Sequence, residues 1–115
     1  LKAGTPEAFT KKTGANPEAF EIPFQAIRNL LDYGVSFQVA AMSADSRIMT
    51  PNERASLVKK LAEIDPRLVL SLEEEVMDGY DTTLARLKLS GLKVKWPLRR
   101  VYTPIRELFN KESRE

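Results

Sequence analysis

The chain contains no cysteine and no histidine among its 115 residues. Without cysteine it forms no disulfide and offers neither a thiolate nucleophile nor a thiolate zinc ligand. Without histidine it lacks the commonest general base, the Ser-His-Asp arrangement and imidazole metal ligands. Catalysis would have to depend on carboxylates, lysine, tyrosine or the backbone. The two absences therefore predict a protein that is not an enzyme.

Glycine clusters and long apolar runs are also missing. The five glycines are scattered, so the chain has neither a phosphate-binding glycine-rich loop nor a serine nucleophile elbow. We therefore expect no cofactor and no small-molecule substrate. No run approaches the roughly 18 apolar residues of a transmembrane helix, and no secretory pattern opens the chain. These features predict a soluble, intracellular protein and leave its compartment open.

What the sequence does contain is an ordinary globular composition, with 43% apolar residues and a formal net charge of +2. This apolar share predicts one folded domain with a modest core rather than a disordered chain. Charge, however, is segregated along the chain. Residues 63–81 carry seven acidic side chains against one arginine, and residues 86–106 carry seven basic side chains and no acidic one.

The prolines predict an all-α fold. Five of the seven follow a residue whose side chain can cap a helix: Thr5-Pro6, Asn16-Pro17, Thr50-Pro51, Asp65-Pro66 and Thr103-Pro104. Proline is favoured at the first helical position because its missing N–H would be unpaired there anyway. Thr50 and Glu53 also have the spacing of a capping box.

The apolar spacing predicts a small bundle of three main helices, Pro17–Ala44, Pro51–Ile64 and Pro66–Leu89, plus a short C-terminal helix. Gly34 falls within the first helix, where we expect it to permit close packing. The chain then divides into an extended N-terminal arm (residues 1–21), a helical core domain (22–91) and a C-terminal part (92–115). That last part joins a basic extended arm to the short helix.

A short repeat occupies the N-terminal arm. Pro6-Glu7-Ala8-Phe9 recurs as Pro17-Glu18-Ala19-Phe20. In one interpretation each copy presents a phenylalanine, Phe9 or Phe20, to a partner protein. In the other, the two rings pin the arm to its own domain.

Three carboxylates in the acidic stretch, Glu74, Asp78 and Asp81, share one face of the third predicted helix. Oxygen ligands in such a group suit Mg²⁺ or Ca²⁺. That face lies opposite the apolar stripe, where charged residues ordinarily solvate a helix. We therefore predict no metal site here.

The basic stretch is the main candidate for an interaction site. It combines cations with aromatic side chains in the set Lys93, Lys95, Trp96, Arg99, Arg100 and Tyr102. Such a set suits pairing with an acidic surface of this or another subunit, or binding to nucleic acid through phosphates and stacked bases. An anionic membrane surface suits it less, because no sustained amphipathic helix is present.

The sequence thus predicts a non-enzymatic structural or adaptor subunit that acts through protein–protein contacts in a larger assembly. The alternative is a nucleic-acid-binding protein that uses residues 86–106. A carboxylate-dependent enzyme is a distant third.

Overall fold

Residues 1–76, 86, 88, 89, 91 and 101–108 are described by a computed structural model of the chain. The described part is mostly helical, as predicted. Its helices are α1 (Pro6–Thr13), a 3₁₀ helix (Pro17–Glu21), α2 (Ile22–Asp32), α3 (Pro51–Ile64) and α4 (Pro66–Leu70). A helical turn over residues 105–108 follows Thr103-Pro104.

Two short parallel strands correct the all-α prediction. Strand β1 (Ala40–Ala41) pairs with β2 (Glu73–Glu74), with Ala40 opposite Glu73. Helices α3 and α4 make the crossover between them, which forms the βαβ arrangement that parallel strands require. The molecule is therefore mostly helical but not purely so.

The opening residue of the chain lies along the other side of β1. The Leu1 nitrogen donates to the carbonyl of Ala40 at 2.7 Å, and the Leu1 carbonyl accepts the N–H of Met42 at 3.1 Å. Strand β1 is thus hydrogen-bonded on both edges, by Leu1 on one side and by β2 on the other.

The prediction of one helix over Pro17–Ala44 is wrong. A 3₁₀ helix fills its first residues, and α2 ends at Asp32. Gly34 follows with a φ of 69°. Glycine adopts this left-handed conformation without the Cβ clash of other residues, which is why it commonly follows a helix end. Gly34 therefore ends the helix and turns the chain toward β1 instead of permitting close packing inside a helix.

The prediction of one helix from Pro66 to Leu89 is also wrong, because α4 ends at Leu70 and β2 follows. The Glu73 N–H donates to the carbonyl of Val39 at 3.0 Å, and the Glu75 N–H donates to the carbonyl of Ala41 at 2.7 Å. These bonds to a distant segment replace the local bonds that would continue a helix.

The prediction of a helix over Pro51–Ile64 is confirmed at both ends by α3. The Thr50 hydroxyl accepts the N–H of Glu53 at 3.2 Å, as its capping role requires. The reciprocal half of the capping box is wrong. The Glu53 carboxylate turns away and accepts the N–H of Gly4 at 3.0 Å and the Lys12 Nζ at 2.7 Å.

The N-terminal segment is not an extended arm. Thr5 caps α1, with its hydroxyl accepting the N–H of Ala8 at 3.2 Å. Ala3 is 3% exposed and belongs to the core. Gly4 lies so close to α3 that an added Cβ would stand 2.1 Å from the carbonyl oxygen of Glu53. The contacts of Glu53 and the burial of Ala3 therefore hold this segment on the body of the protein.

The core lies between the strands and the helices around them. Its fully buried side chains include Phe24, Met49, Leu57, Leu61 and Val69. Burying one side chain of this size stabilises the fold by about 1.5–3 kcal/mol relative to leaving it in water.

Candidate functional site: a buried charge network beside an open groove

Polar side chains meet where the two parallel strands end. Ser43 and Asp45 follow β1, and both are fully buried. Glu74 closes β2, and its side chain is only 2% exposed. In α/β proteins the carboxyl ends of parallel strands are where binding sites commonly form. This end of the molecule therefore has the position of a candidate binding site.

Internal donors occupy both oxygens of the Glu74 carboxylate. Its Oε1 accepts from the Arg54 Nε at 2.9 Å, the Arg54 Nη2 at 2.7 Å and the Ser43 Oγ at 2.8 Å. Its Oε2 accepts the backbone N–H of Ile105 at 2.7 Å. We call these four groups the Glu74 network. A buried charge is tolerated only when it is paired and hydrogen-bonded. Because all the bonds of Glu74 go to groups of the protein itself, we interpret the network as structural.

The Glu74 network binds residues near the C-terminal end of the basic stretch. Arg54 Nη2 also donates to the carbonyl of Thr103 at 2.7 Å, and its guanidinium lies 4.7 Å from the centroid of the Tyr102 ring. The Tyr102 hydroxyl donates to the carbonyl of Met49 at 3.0 Å, and the Tyr102 N–H donates to the carbonyl of Ala44 at 3.0 Å. Residues 101–105, which we call the strap, are thereby fixed across the start of α3.

A second ion pair lies beside the strap. The Arg47 Nη2 stands 2.8 Å from the Asp45 Oδ2, and both side chains are buried. Hydrogen bonding to Asp45 raises the pKa of the Arg47 guanidinium above its usual value. Asp45 also forms an isolated antiparallel bridge with Val101. The backbone of Asp45 thus contacts the strap, while its buried carboxylate pairs with Arg47.

An open groove of about 390 Å³ runs between α3 and the strap. We call it the α3 groove, and its lining consists of Pro51, Arg54, Ala55, Val58, Lys59, Tyr102 and Ile105. Ala55 and Lys59 are exposed, whereas Val58, Tyr102 and Ile105 are half-buried. Among the described ion pairs none includes Lys59. The groove therefore combines an apolar floor with a lysine on its rim that has no ion-pair partner among the described residues.

A smaller cavity of about 240 Å³ lies among residues that precede the strands. Val35 and Leu68 contribute apolar lining, and Asp65 and Arg67 contribute an ion pair with atoms 2.6 Å apart. Hydrogen bonding from Arg67 holds the pKa of the Asp65 carboxyl below its usual value. Because Asp65 also caps α4 through the N–H of Arg67, these charges are already used locally.

The structure describes only some of the sequence-predicted interaction residues. Tyr102 lies in the strap and lines the α3 groove. Phe20 is 4% exposed and packs edge-on against Phe24, with ring centroids 5.1 Å apart. Phe9 is half-buried, 6.0 Å from Phe20. The arrangement of the two rings therefore favours the interpretation in which they pin the N-terminal segment. The predicted residues Lys93, Lys95, Trp96, Arg99 and Arg100 lie outside the described residues.

The prediction that Glu74 lies on the solvated face of a helix is wrong. That residue belongs to a strand, and its carboxylate is buried instead of solvated. Asp78 and Asp81 lie outside the described residues. Within the described ranges no group of three potential metal ligands occurs.

The groove itself was missed, although a signal for it is present in the sequence. Pro51, Ala55, Val58 and Ala62 follow one another at spacings of four, three and four, which places them on one face of α3. The buried stripe of the same helix is carried by Leu57 and Leu61. A second, smaller apolar stripe beside a core stripe could have indicated a surface groove.

Comparison with family models, curated proteins and solved structures finds no match to this chain. In the part of the chain that the structure describes, no helix combines the length and the apolar character needed to cross a membrane.

Proposed function

We propose that this chain is a non-enzymatic structural or adaptor subunit that acts through protein–protein contacts, and that a partner docks in the α3 groove. The single observation that carries the proposal is the groove's composition. Its floor of Val58, Tyr102 and Ile105 is apolar and open, and exposed side chains form its outer wall.

The shape of the groove suits a protein segment better than a small molecule. Pockets for small molecules enclose most of the ligand surface. Here the outer wall, Pro51, Ala55 and Lys59, is itself exposed. Two turns of α3 separate Pro51 from Lys59, about 12 Å at 1.5 Å per residue. An elongated apolar surface of this kind is typical of grooves that receive a helical segment.

The Glu74 network supports a binding role over a catalytic one. A general acid or base needs a carboxylate that can reach the proton of a bound substrate. The Glu74 oxygens instead face Arg54, Ser43 and the N–H of Ile105. The network gives the strap a fixed position, and a fixed strap gives the groove a preformed second wall.

A peptide-display selection tests the proposal. Peptides from a library of random sequence with no built-in secondary structure are selected on the wild-type protein and then measured against Ala55→Gln, which places a longer polar side chain on the exposed wall. Ala26→Gln makes the same change at an exposed position of α2 and is the matched control. We expect selected peptides to lose at least tenfold in affinity for Ala55→Gln and to bind Ala26→Gln like wild type. A selection that yields no peptide sensitive to Ala55→Gln would refute the docking proposal.

Nucleic-acid binding by residues 86–106 stays a prediction with its own test. Labelled single- and double-stranded oligonucleotides are titrated at several salt concentrations. Binding that weakens steeply with salt and disappears when Lys93, Lys95, Arg99 and Arg100 become alanine would support it. Absence of binding at low salt would refute nucleic-acid binding by this stretch.

A further inference from the structure

We infer that the segment which docks in the α3 groove is an amphipathic helix that carries a carboxylate beside Lys59. This inference rests on the proposed function, and it adds the conformation and the charge of the partner. It follows from the backbone, the side-chain sizes and the charges of the two groove walls.

The backbone of the α3 wall favours a helical occupant. The backbone N–H and carbonyl groups in the middle of α3 are used within the helix, so this wall offers only side chains. An extended strand laid against it would leave its own backbone groups unpaired on that side, which is costly when they are buried. A helix satisfies its backbone internally and needs only apolar side chains to fill the groove.

The side chains of the wall allow a close approach. Of the residues that line the groove, Ala55 is small, and Val58 lies about one turn further along the same face of α3. Helices pack with their axes about 8–10 Å apart, and small side chains at the contact favour the shorter distance. Apolar residues spaced three and four apart on the incoming helix would fit between this stripe and the strap side chains Tyr102 and Ile105.

The two cationic side chains of the groove, Arg54 and Lys59, differ in whether they can pair with a carboxylate of a partner. Arg54 is neutralised by Glu74, with the two side chains 10% and 2% exposed. Lys59 is exposed and belongs to none of the described ion pairs. A carboxylate on the partner would pair with Lys59 at the edge of the apolar floor, whereas a lysine or arginine there would be repelled by the exposed Lys59 ammonium. Charge complementarity of this kind selects partners and fixes their register.

The peptides selected on the groove supply the probe. Their sequences should show apolar residues at spacings of three and four, with aspartate or glutamate recurring at one flanking position. One selected peptide is then synthesised with glutamate, glutamine or lysine at that position. Fluorescence anisotropy measures the affinity of each version for wild type, Lys59→Glu and Lys11→Glu. Lys11 is exposed on α1, so its reversal is the matched control.

We expect the lysine peptide to bind wild type at least tenfold more weakly than the glutamate peptide. Lys59→Glu should reverse that order, and Lys11→Glu should leave it unchanged. If the peptides lose affinity for Ala55→Gln but change less than twofold in affinity for Lys59→Glu, the inferred charge is overturned. The docking proposal then still stands. Selected peptides that are not helical when bound, by circular dichroism, overturn the inferred conformation. Self-association of the wild type that Ala55→Gln abolishes would identify a second copy as the occupant and overturn the inference.

Discussion

Replacing Glu74 by glutamine should destabilise the protein strongly, although the change keeps the shape of the side chain. The amide carries no charge to balance Arg54, whose side chain is only 10% exposed. It also replaces one carboxylate oxygen by an NH₂ group, which faces hydrogen-bond donors and cannot accept a bond from them. Removing one partner of a buried ion pair costs about 3–5 kcal/mol because the other charge is left uncompensated. We expect about 3 kcal/mol for Glu74→Gln, since the amide oxygen retains part of the network.

Urea denaturation measures this loss. With a slope of about 1–3 kcal/mol per molar urea for a protein of this size, the midpoint should fall by about 1–3 M. Glu73→Gln is the matched control. It makes the same change one residue earlier in β2, at an exposed position, where substitutions usually stay within about 0.5 kcal/mol. Equal midpoints for the two variants would refute the reasoning.

A double variant separates the charge imbalance from the loss of contacts. Arg54→Met combined with Glu74→Met removes both charges and keeps apolar volume. Replacing a buried ion pair by apolar residues is often neutral or even stabilising. We therefore expect the double variant to be more stable than Glu74→Gln. A loss equal to the sum of the two single methionine variants would show that Arg54 and Glu74 are not coupled.

Four further substitutions test the fold. Gly4→Ala should cost about 1–3 kcal/mol in urea denaturation, because its Cβ would stand 2.1 Å from the carbonyl oxygen of Glu53. Phe20→Ala should cost about 3–5 kcal/mol, and Phe9→Ala clearly less, because Phe20 is buried whereas Phe9 is half-buried; equally small losses would contradict this packing. Asp65→Asn keeps the cap but loses the charge. The depressed pKa of Asp65 contributes stability above its unfolded pKa of about 3.9, and this stability is lost as the pH falls through the folded pKa. The stability advantage of wild type over Asp65→Asn should therefore shrink below about pH 4.

The elements that the sequence predicts well are those set by local chemistry. Helix α3 begins and ends where predicted because its signals lie within a few residues of its ends. Thr50 caps it, Pro51 occupies the first helical position, and Asp65 and Pro66 end it. None of these signals requires knowledge of a distant segment.

The strands could not be predicted in the same way. Parallel strands pair only across a long crossover, and here each is two residues long. Strand β2 consists of two glutamates, a residue type depleted in strands. The periodicity around it therefore indicated a helix. Its true partner, β1, lies more than 30 residues earlier, and nothing local marks that pairing.

The same non-local pairing explains why the role of Glu74 was missed. The prediction places Glu74 on a helix, where its carboxylate would face water. In β2 its backbone pairs with β1, and its side chain is directed toward Ser43 and Arg54. A buried carboxylate within an acidic run cannot be distinguished from its solvated neighbours by composition.

The first turn of α3 connects the structural and the proposed functional features. Successive residues of a helix point about 100° apart, so Glu53, Arg54 and Ala55 face three directions. Glu53 binds the N-terminal segment, Arg54 binds the strap through the Glu74 network, and Ala55 faces the groove. The second wall of the groove therefore depends on a buried charge, whereas the first wall does not. It follows that Glu74→Gln should weaken peptide binding by loosening the strap, whereas Ala55→Gln should weaken binding without changing the urea midpoint.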